Sequence, residues 1–339
     1  MTAPILLPID VPTGEIAVRG PFDLSAASHY LAGFGPAVRP DAASEPGVLR
    51  LAFPVDGVWT HAGAAIRQRS PGTVEVEVSA PIDLAARVMG QVSRVLSLDI
   101  DASGLPDIDL RDSVAARLRA AHPGLRPVLF SSPYEVACWS VLSQGMRFTT
   151  AIRRRRELAE RYGAIIDVGE YQVVSFPAPA VLAELASEDG LADFRVARLR
   201  SIAQATADGR LDPAELRALP IPDALAHLRA IPGIGAFSAE QILLRGAGHP
   251  DLFPRADGRL HEAMRDEYGL PATTPASELI PLADDWRPYR SWIALLFRGT
   301  LDAVPPEPDA TSSTEEVVAG SAARRRPRRR RAHPADRGL

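Results

Sequence analysis

The feature that most constrains the fold of this chain is a short, glycine-rich turn between two helical stretches. The segment 231–235 reads IPGIG; it ends one predicted helix, and the next begins at Ala236. Glycine tolerates the positive φ that so tight a turn requires. The backbone N–H groups of the turn then point outward at the start of the following helix, where an anion is favoured. The sequence therefore predicts a helical hairpin that can bind a phosphate group.

Apolar residues frame this turn at spacings that suit a packed helix pair. Leu228 and Ile231 belong to the first helix, and Ile234 and Ala239 continue the apolar face across the turn. This combination is more specific than two glycines alone. An ordinary turn between two helices, with no ligand, remains the alternative interpretation of the motif.

A single carboxylate, Asp257, follows the hairpin and directly precedes another helical stretch, GRLHEAMRDEYG. Asp is a favoured residue at a helix N-cap, so a purely structural role would account for it. A capping carboxylate is also rigidly held and stays ionised. Such an anion can stabilise positive charge on a reacting sugar or orient an attacking water. The two interpretations are compatible, and we predict that Asp257 has both roles.

Composition excludes several classes of site. Cys138 is the single cysteine and lies in an apolar run, which excludes intrachain disulfides and Cys-ligated clusters. All 38 cationic residues are Arg, so no lysine can form a Schiff base with a substrate. The seven His are scattered without the spacing of metal ligands, and we expect no metal site. With no signal-like N-terminus and no long apolar run, we expect a cytoplasmic protein without a membrane partner.

Charge is distributed unevenly along the chain. Eight Arg and one Asp give residues 320–339 a net charge of +7, so the other residues carry −11 of the total of −4. An acidic body does not favour nucleic-acid binding, although backbone amides and a few placed Arg can bind phosphate locally. The segment 304–339 has few large apolar residues and is predicted to be disordered. Its Arg run is either a nonspecific nucleic-acid arm or a solvated tail.

The pattern of apolar residues predicts an α+β fold. A helix is predicted over 21–33, a second from residue 81, and strands over 48–53, 58–60, 64–69 and 73–79. Beyond a Pro- and Gly-rich stretch at 99–109, helices are predicted over 112–121, 133–145, 150–162, 179–187, 194–208, 213–218, 222–231, 236–247, 258–268 and 287–302. We therefore predict a small N-terminal antiparallel sheet domain over 1–100, an all-helical domain over 101–303 and a disordered Arg-rich tail over 304–339.

Three segments resemble a known family. PGIGAFSAEQILLRGAG (232–248), DLFPRADGRL (251–260) and WRPYRSWIALL (286–296) are similar to the helix-hairpin-helix DNA glycosylases, and within them to the 3-methyladenine DNA glycosylase II branch. The resemblance extends over roughly residues 19–302, although the first part matches in pattern only. It implies a monofunctional enzyme of base excision repair that hydrolyses the N-glycosidic bond of a flipped-out alkylated purine.

The resemblance also implies roles for single residues. Asp257 would be the catalytic residue, and Phe237 stands where bifunctional relatives carry their Schiff-base lysine, which implies no lyase activity. The implied DNA contacts are Pro232, Gly233, Ile234, Gly235, Ser238, Gln144 and Met146, and the implied base pocket comprises Tyr30, Phe237, Gln241, Trp292 and Arg298. No cofactor is implied beyond a monovalent cation at the hairpin carbonyls. The implied partner is double-stranded DNA with a damaged base, bound by a monomer that would be nucleoid-associated in a prokaryote.

Two implied pocket positions depart from the branch, which often has aromatic residues where this chain has Gln241 and Arg298. An aromatic ring attracts a cationic alkylated purine, whereas an Arg repels it. If Arg298 faces the pocket, either the substrate is a neutral base or the activity is weak; a shift of one residue would turn Phe297 inward instead. Gly145 has no side chain to fill the gap left by a flipped base. A non-catalytic DNA-binding protein and a glycosylase for an oxidised or deaminated base therefore stay open as alternatives.

Overall fold

The computed structural model describes residues 12–33, 45–186 and 190–302, so the predicted disorder of 304–339 lies outside the described residues. The strands are β1 (Thr13–Ala17), β2 (Val48–Pro54), β3 (His61–Ser70), β4 (Thr73–Ser79), β5 (Ala164–Val168) and β6 (Tyr171–Ser175). The helices are α1 (Leu24–Gly33), α2 (Ala85–Val95), α3 (Ser113–Ala121), α4 (Pro133–Ser143), α5 (Phe148–Tyr162), α6 (Pro179–Ala183), α7 (Asp193–Ala207), α8 (Pro213–Ala218), α9 (Ile221–Arg229), α10 (Ala236–Gln241), α11 (Gly258–Tyr268), α12 (Ala276–Asp284) and α13 (Arg290–Asp302). None of these helices combines the length and the apolar character needed to cross a bilayer.

A four-stranded antiparallel sheet in the order β1-β4-β3-β2 forms the N-terminal part. Strand β4 alternates valine with polar residues, and Val74, Val76 and Val78 are buried. Because side chains alternate across a strand, these valines face one side of the sheet, where α1 and α2 cover them. The α+β class is confirmed, while the boundary between domains at residue 100 stays a prediction.

The buried carboxylate of Asp112 connects segments in the C-terminal part of the fold. Asp112 caps α3 by accepting hydrogen bonds from the backbone N–H groups of Val114 and Ala115. Its second oxygen accepts from the Tyr268 hydroxyl on α11 and from Trp286 Nε1 at 2.6 Å. Since a buried carboxylate needs such partners, Asp112 aligns three segments that are distant in sequence.

The structure differs from the predicted elements at several places. Residues 58–60 form no strand: Val58 ends a turn, and the following Trp59 packs edge-on against Tyr134 with ring centroids 5.6 Å apart. Strand β1, helix α12 and the β5–β6 hairpin were not predicted. The hairpin lies within the region predicted to be helical, and its Val168 and Val173 pack on the outer face of the sheet. Short strands that pair only with each other carry too little periodicity to be recognised in one sequence.

Buried charges join the sheet to the helices. The Arg94 side chain on α2 donates to the backbone oxygen of Gly246 at 2.5 Å, to that of Ser131 at 2.8 Å and to the Asp56 carboxylate. Burial raises the pKa of Asp56 to about 6, and the charges of Asp212 and Glu135 act in the same direction, while Arg94 opposes them. The Asp56 carboxyl therefore binds a proton more readily in the folded protein than in the unfolded chain.

This raised pKa predicts a pH dependence of stability. A carboxyl whose pKa is higher in the folded state favours folding while it is protonated, and its contribution is lost as the pH rises through about 6. Between about pH 4 and about pH 7, we expect the free energy of unfolding of the wild type to fall relative to that of Asp56→Asn by up to about 3 kcal/mol. Urea unfolding of both proteins across this range measures the difference, and parallel curves would contradict the prediction.

Candidate functional site

Asp257 ends the loop that connects the hairpin region to α11 and is the N-cap of that helix. Its Oδ1 accepts a hydrogen bond from the Leu260 backbone N–H at 3.1 Å, which satisfies one of the free amides of the first helical turn. The predicted capping role is therefore confirmed. The Asp257 side chain is only 4 % exposed. Access of a substrate to its carboxylate therefore depends on the side chains that cover it.

Arg298 on α13 covers this carboxylate. Its Nη1 donates to Asp257 Oδ1 at 2.8 Å, and its side chain is 20 % exposed. The neighbouring Phe297 is fully buried and stacks on Trp286 at 5.1 Å between ring centroids. Of the two residues considered at this position, Arg298 therefore faces Asp257, and the two side chains form an ion pair with only the arginine reaching solvent.

Glu240, which the sequence analysis did not single out, holds the loop in front of Asp257. Its Oε1 accepts from the Arg255 backbone N–H at 3.0 Å and its Oε2 from the Ala256 backbone N–H at 2.9 Å. The residue is 5 % exposed, and burial raises the pKa of its carboxyl, which the two backbone hydrogen bonds oppose. A signal was present in the sequence, because an acidic residue lies among the apolar residues of the helix after the hairpin.

His261 supports the same loop from α11. Its Nε2 lies 3.2 Å from the backbone oxygen of Pro254, and its ring stacks on Phe253 with centroids 6.0 Å apart. Burial lowers the pKa of this imidazole, so the neutral form is favoured and Nε2 can donate its proton to the carbonyl. The loop before Asp257 is thus held by Glu240 at Arg255 and Ala256 and by His261 at Pro254.

The hairpin connects α9 and α10. Its Gly233 has φ +93, and the Ile234 backbone N–H donates to the Ile231 carbonyl at 3.1 Å, which closes the turn. Pro232 and Gly235 are exposed, Ser238 is half-buried, and Ile234 is buried in the helix pair. Gly235 is the N-cap of α10, so the predicted tight turn between two helices is confirmed, while its binding of a phosphate stays a prediction. A cation at its carbonyls stays a prediction.

A second loop, at 144–146, lies beside this hairpin because of Arg198 on α7. The Arg198 guanidinium donates to Gln144 Oε1, and a Cβ added to Gly233 would lie 2.9 Å from Arg198 Cδ. Gln144 is exposed and Met146 is half-buried. The structure therefore brings together the two groups of residues expected to contact DNA, and Arg198 is a connecting residue that the sequence analysis did not identify.

The residues expected to form a base pocket lie in different places. Tyr30 and Trp292 line a cavity of about 270 Å³, and Asp257 is not among the residues that line it. The Tyr30 hydroxyl accepts from Arg245 Nη2 at 3.0 Å, and Arg126 lies over the Trp292 ring. Phe237 is 45 % exposed and Gln241 is half-buried at the end of α10. The assignment of these residues to one base pocket stays a prediction.

Known proteins are similar to this chain in both sequence and fold. The chain is 27% identical over 231 residues to DNA-3-methyladenine glycosylase 2 of Escherichia coli K12, which covers 66% of this chain and 75% of that protein. It is 26% identical over 174 residues to a DNA-3-methyladenine glycosylase of Bacillus subtilis 168, covering 50% and 57% of the two chains. These similarities relate the chain to the helix-hairpin-helix DNA glycosylase superfamily. The two relatives support its place in the 3-methyladenine DNA glycosylase II branch of that superfamily.

A solved structure of a DNA glycosylase is also similar to this chain in fold. The 3-methyladenine DNA glycosylase of Archaeoglobus fulgidus superimposes with a TM-score of 0.67 at 19% identity and covers 84% of this chain and 96% of its own. No family model matches the chain. This similarity concerns the fold alone and assigns no role to the side chains at the site.

Proposed function

We propose that this chain is a DNA glycosylase that hydrolyses the N-glycosidic bond of an alkylated purine, of the 3-methyladenine type, turned out of the double helix. The observation that supports the proposal most strongly is the placement of Asp257. Its carboxylate caps α11, and the preceding loop is bound by Glu240 of the hairpin helix. Through Glu240, the carboxylate would keep a fixed position relative to a phosphate bound at the hairpin.

DNA would be held by the exposed hairpin and the loop beside it. The amides around Gly233 and Gly235 would bind a phosphate, while Gln144 and Met146 would enter the space that the flipped nucleotide leaves. A single protein chain and one duplex suffice for this arrangement. The same proposal places the protein in the cytoplasm, on the nucleoid of a prokaryote.

Asp257 would act on the deoxyribose. As the C1′–N bond breaks, its electron pair leaves with the base and positive charge develops on the sugar, which the carboxylate stabilises. A water oxygen then bonds to C1′ and releases a proton, so the products are a free base and an abasic site. An alkylated purine is already cationic and leaves as a neutral base, and no strong general acid is needed. The Arg298 side chain must first turn away from Asp257.

The reaction would stop at hydrolysis. A lyase step needs an amine that forms a Schiff base with the sugar, and this sequence contains no lysine. Phe237, at the position corresponding to the lysine of bifunctional relatives, has no nucleophilic group.

A second candidate substrate is a neutral base, oxidised or deaminated. The Asp257–Arg298 ion pair favours it, because a guanidinium at the carboxylate repels a cationic purine and cancels part of the attraction that Asp257 offers. A neutral base leaves with negative charge, which a nearby guanidinium stabilises.

Release of free bases from defined duplexes tests the proposal. The full chain is incubated with methylated DNA and with duplexes that contain hypoxanthine or 8-oxoguanine, and the released bases are separated by chromatography. Release of 3-methyladenine supports the first candidate, and release of only a neutral base supports the second. DNA binding without release of any base would identify a non-catalytic DNA-binding protein.

A substitution in the turn tests the proposed phosphate contact. Gly233→Ala would strain a residue at φ +93 and push its Cβ against Arg198, so the turn amides would lose their alignment. We expect DNA affinity to fall by about tenfold or more, the value of a hydrogen bond to a charged group, equally for damaged and undamaged duplexes. Fluorescence anisotropy with labelled duplexes measures both.

Gly269→Ala is the matched control for this substitution. Gly269 also has positive φ, but a Cβ there meets open space at the end of α11. Both variants introduce backbone strain, and only Gly233→Ala should bind DNA less tightly. Equal affinities for the two variants would exclude the hairpin as the phosphate site.

A further inference from the structure

Glu240 connects the two parts of the proposed site through a single side chain. It lies on α10, the helix that starts directly at the hairpin turn, and each of its carboxylate oxygens accepts one backbone N–H of the loop that ends at Asp257. These amides belong to Arg255 and Ala256, the two residues before Asp257. Two hydrogen bonds to one buried carboxylate, in a low-dielectric setting, fix a loop far better than solvent contacts do.

We propose that Glu240 is a positioning residue that couples phosphate binding at the hairpin to the placement of the Asp257 carboxylate. The inference rests on the proposed glycosylase activity and deepens it. A hairpin displaced on DNA carries α10 with it, and Glu240 passes that displacement to the loop before Asp257. The Asp257 carboxylate thereby keeps a constant position relative to the sugar on which it acts. That sugar belongs to the nucleotide beside the bound phosphate.

The coupling requires the ionised form of Glu240. A carboxylate accepts hydrogen bonds at both oxygens, whereas a protonated carboxyl or an amide presents a donor to one of the two loop amides. Two charged groups face Glu240 from the loop: Asp257 disfavours its ionised form, and Arg255 favours it. Burial lowers the pKa of His261, which contacts the same loop at Pro254. Acid should therefore loosen the loop by protonating Glu240.

Glu240→Gln tests the proposal, with Glu262→Gln as the matched control. Glu262 is exposed on α11, so the same chemical change is made away from the loop. We expect single-turnover base release by Glu240→Gln to fall by about tenfold to a hundredfold, as for a small misplacement of a catalytic group, with DNA affinity close to that of the wild type. The decrease in rate at acid pH should also shift to lower pH in the variant. The proposal would be overturned if Glu240→Gln released the base at the wild-type rate and with the wild-type pH profile. It would also be overturned if Glu262→Gln lost as much of the rate as Glu240→Gln.

A second measurement needs neither the variant nor the enzymatic activity. Hydrogen exchange of the Arg255 and Ala256 amides in the wild-type protein should show protection that decreases as the pH is lowered and Glu240 is protonated. Protection that is absent, or that does not change with pH, would overturn the proposal even if Glu240→Gln fails to fold. If these amides behave as expected while no duplex yields a free base, the proposed glycosylase function fails and the structural link stands.

Discussion

Replacing Asp257 by Asn is expected to lower the rate of base release by about 10³-fold, while the affinity for DNA stays close to that of the wild type. Asn is also a good N-cap residue, and its Oδ1 can still accept from Leu260 and Arg298, so α11 keeps its start. What the substitution removes is the negative charge that would stabilise the sugar cation. Single-turnover release from a methylated duplex measures the rate, and anisotropy measures the affinity.

Asp266→Asn provides the control for that substitution. Asp266 is exposed on α11, so the variant has the same change of net charge without a change at the site. Its rate should match that of the wild type. Base release by Asp257→Asn at the wild-type rate would show that this carboxylate has no catalytic role, and loss of DNA binding in Asp257→Asn would show that its role is structural.

Replacing Arg298 by Gln is expected to change which bases are released. Gln can still donate an N–H to Asp257 but carries no charge, so the carboxylate is no longer neutralised and a cationic purine is no longer repelled. We expect the ratio of 3-methyladenine release to hypoxanthine release to rise by about tenfold or more over that of the wild type, since each 1.4 kcal/mol of electrostatic free energy corresponds to one factor of ten. Competition experiments with a mixture of the two duplexes measure this ratio directly.

Arg117→Gln is the control for the charge change. The Arg117 guanidinium pairs with Glu267 at 2.7 Å on the exposed side of α3, where removal of one cation leaves the site unaltered. The ratio of 3-methyladenine release to hypoxanthine release by Arg117→Gln should equal that of the wild type. An unchanged ratio in Arg298→Gln would show that Arg298 does not select the base and would leave only its role in covering Asp257.

Local signals in the sequence predicted a large part of the fold. Strand β4 and helix α11 occupy the predicted residues, because a period of two and an N-cap Asp are properties of a few adjacent residues. The hairpin was predicted for the same reason, since its glycines and apolar spacing are contiguous. The β5–β6 hairpin escaped detection because its stability comes from packing on a distant sheet.

The candidate site likewise contains residues that the sequence reveals and residues that only the fold brings together. Asp257 could be found because a single residue carries both signals, the helix cap and the family motif. The partners that determine its environment could not be found so readily. Arg298 lies 41 residues further along the chain, and Glu240 acts through backbone amides that have no sequence signature of their own. Arg198 lies near two loops that are distant from it and from each other in sequence, so only the fold reveals its position.

The sequence by itself thus determined the hairpin, the capped carboxylate, the absence of a Schiff-base lysine and the α+β class, since each depends on residue identity or on neighbours along the chain. Only the tertiary structure decided that the carboxylate is buried beneath an arginine and tied to the hairpin through a glutamate. Burial and ion pairing are set by segments that meet only after folding, and those contacts determine the charge that a substrate encounters.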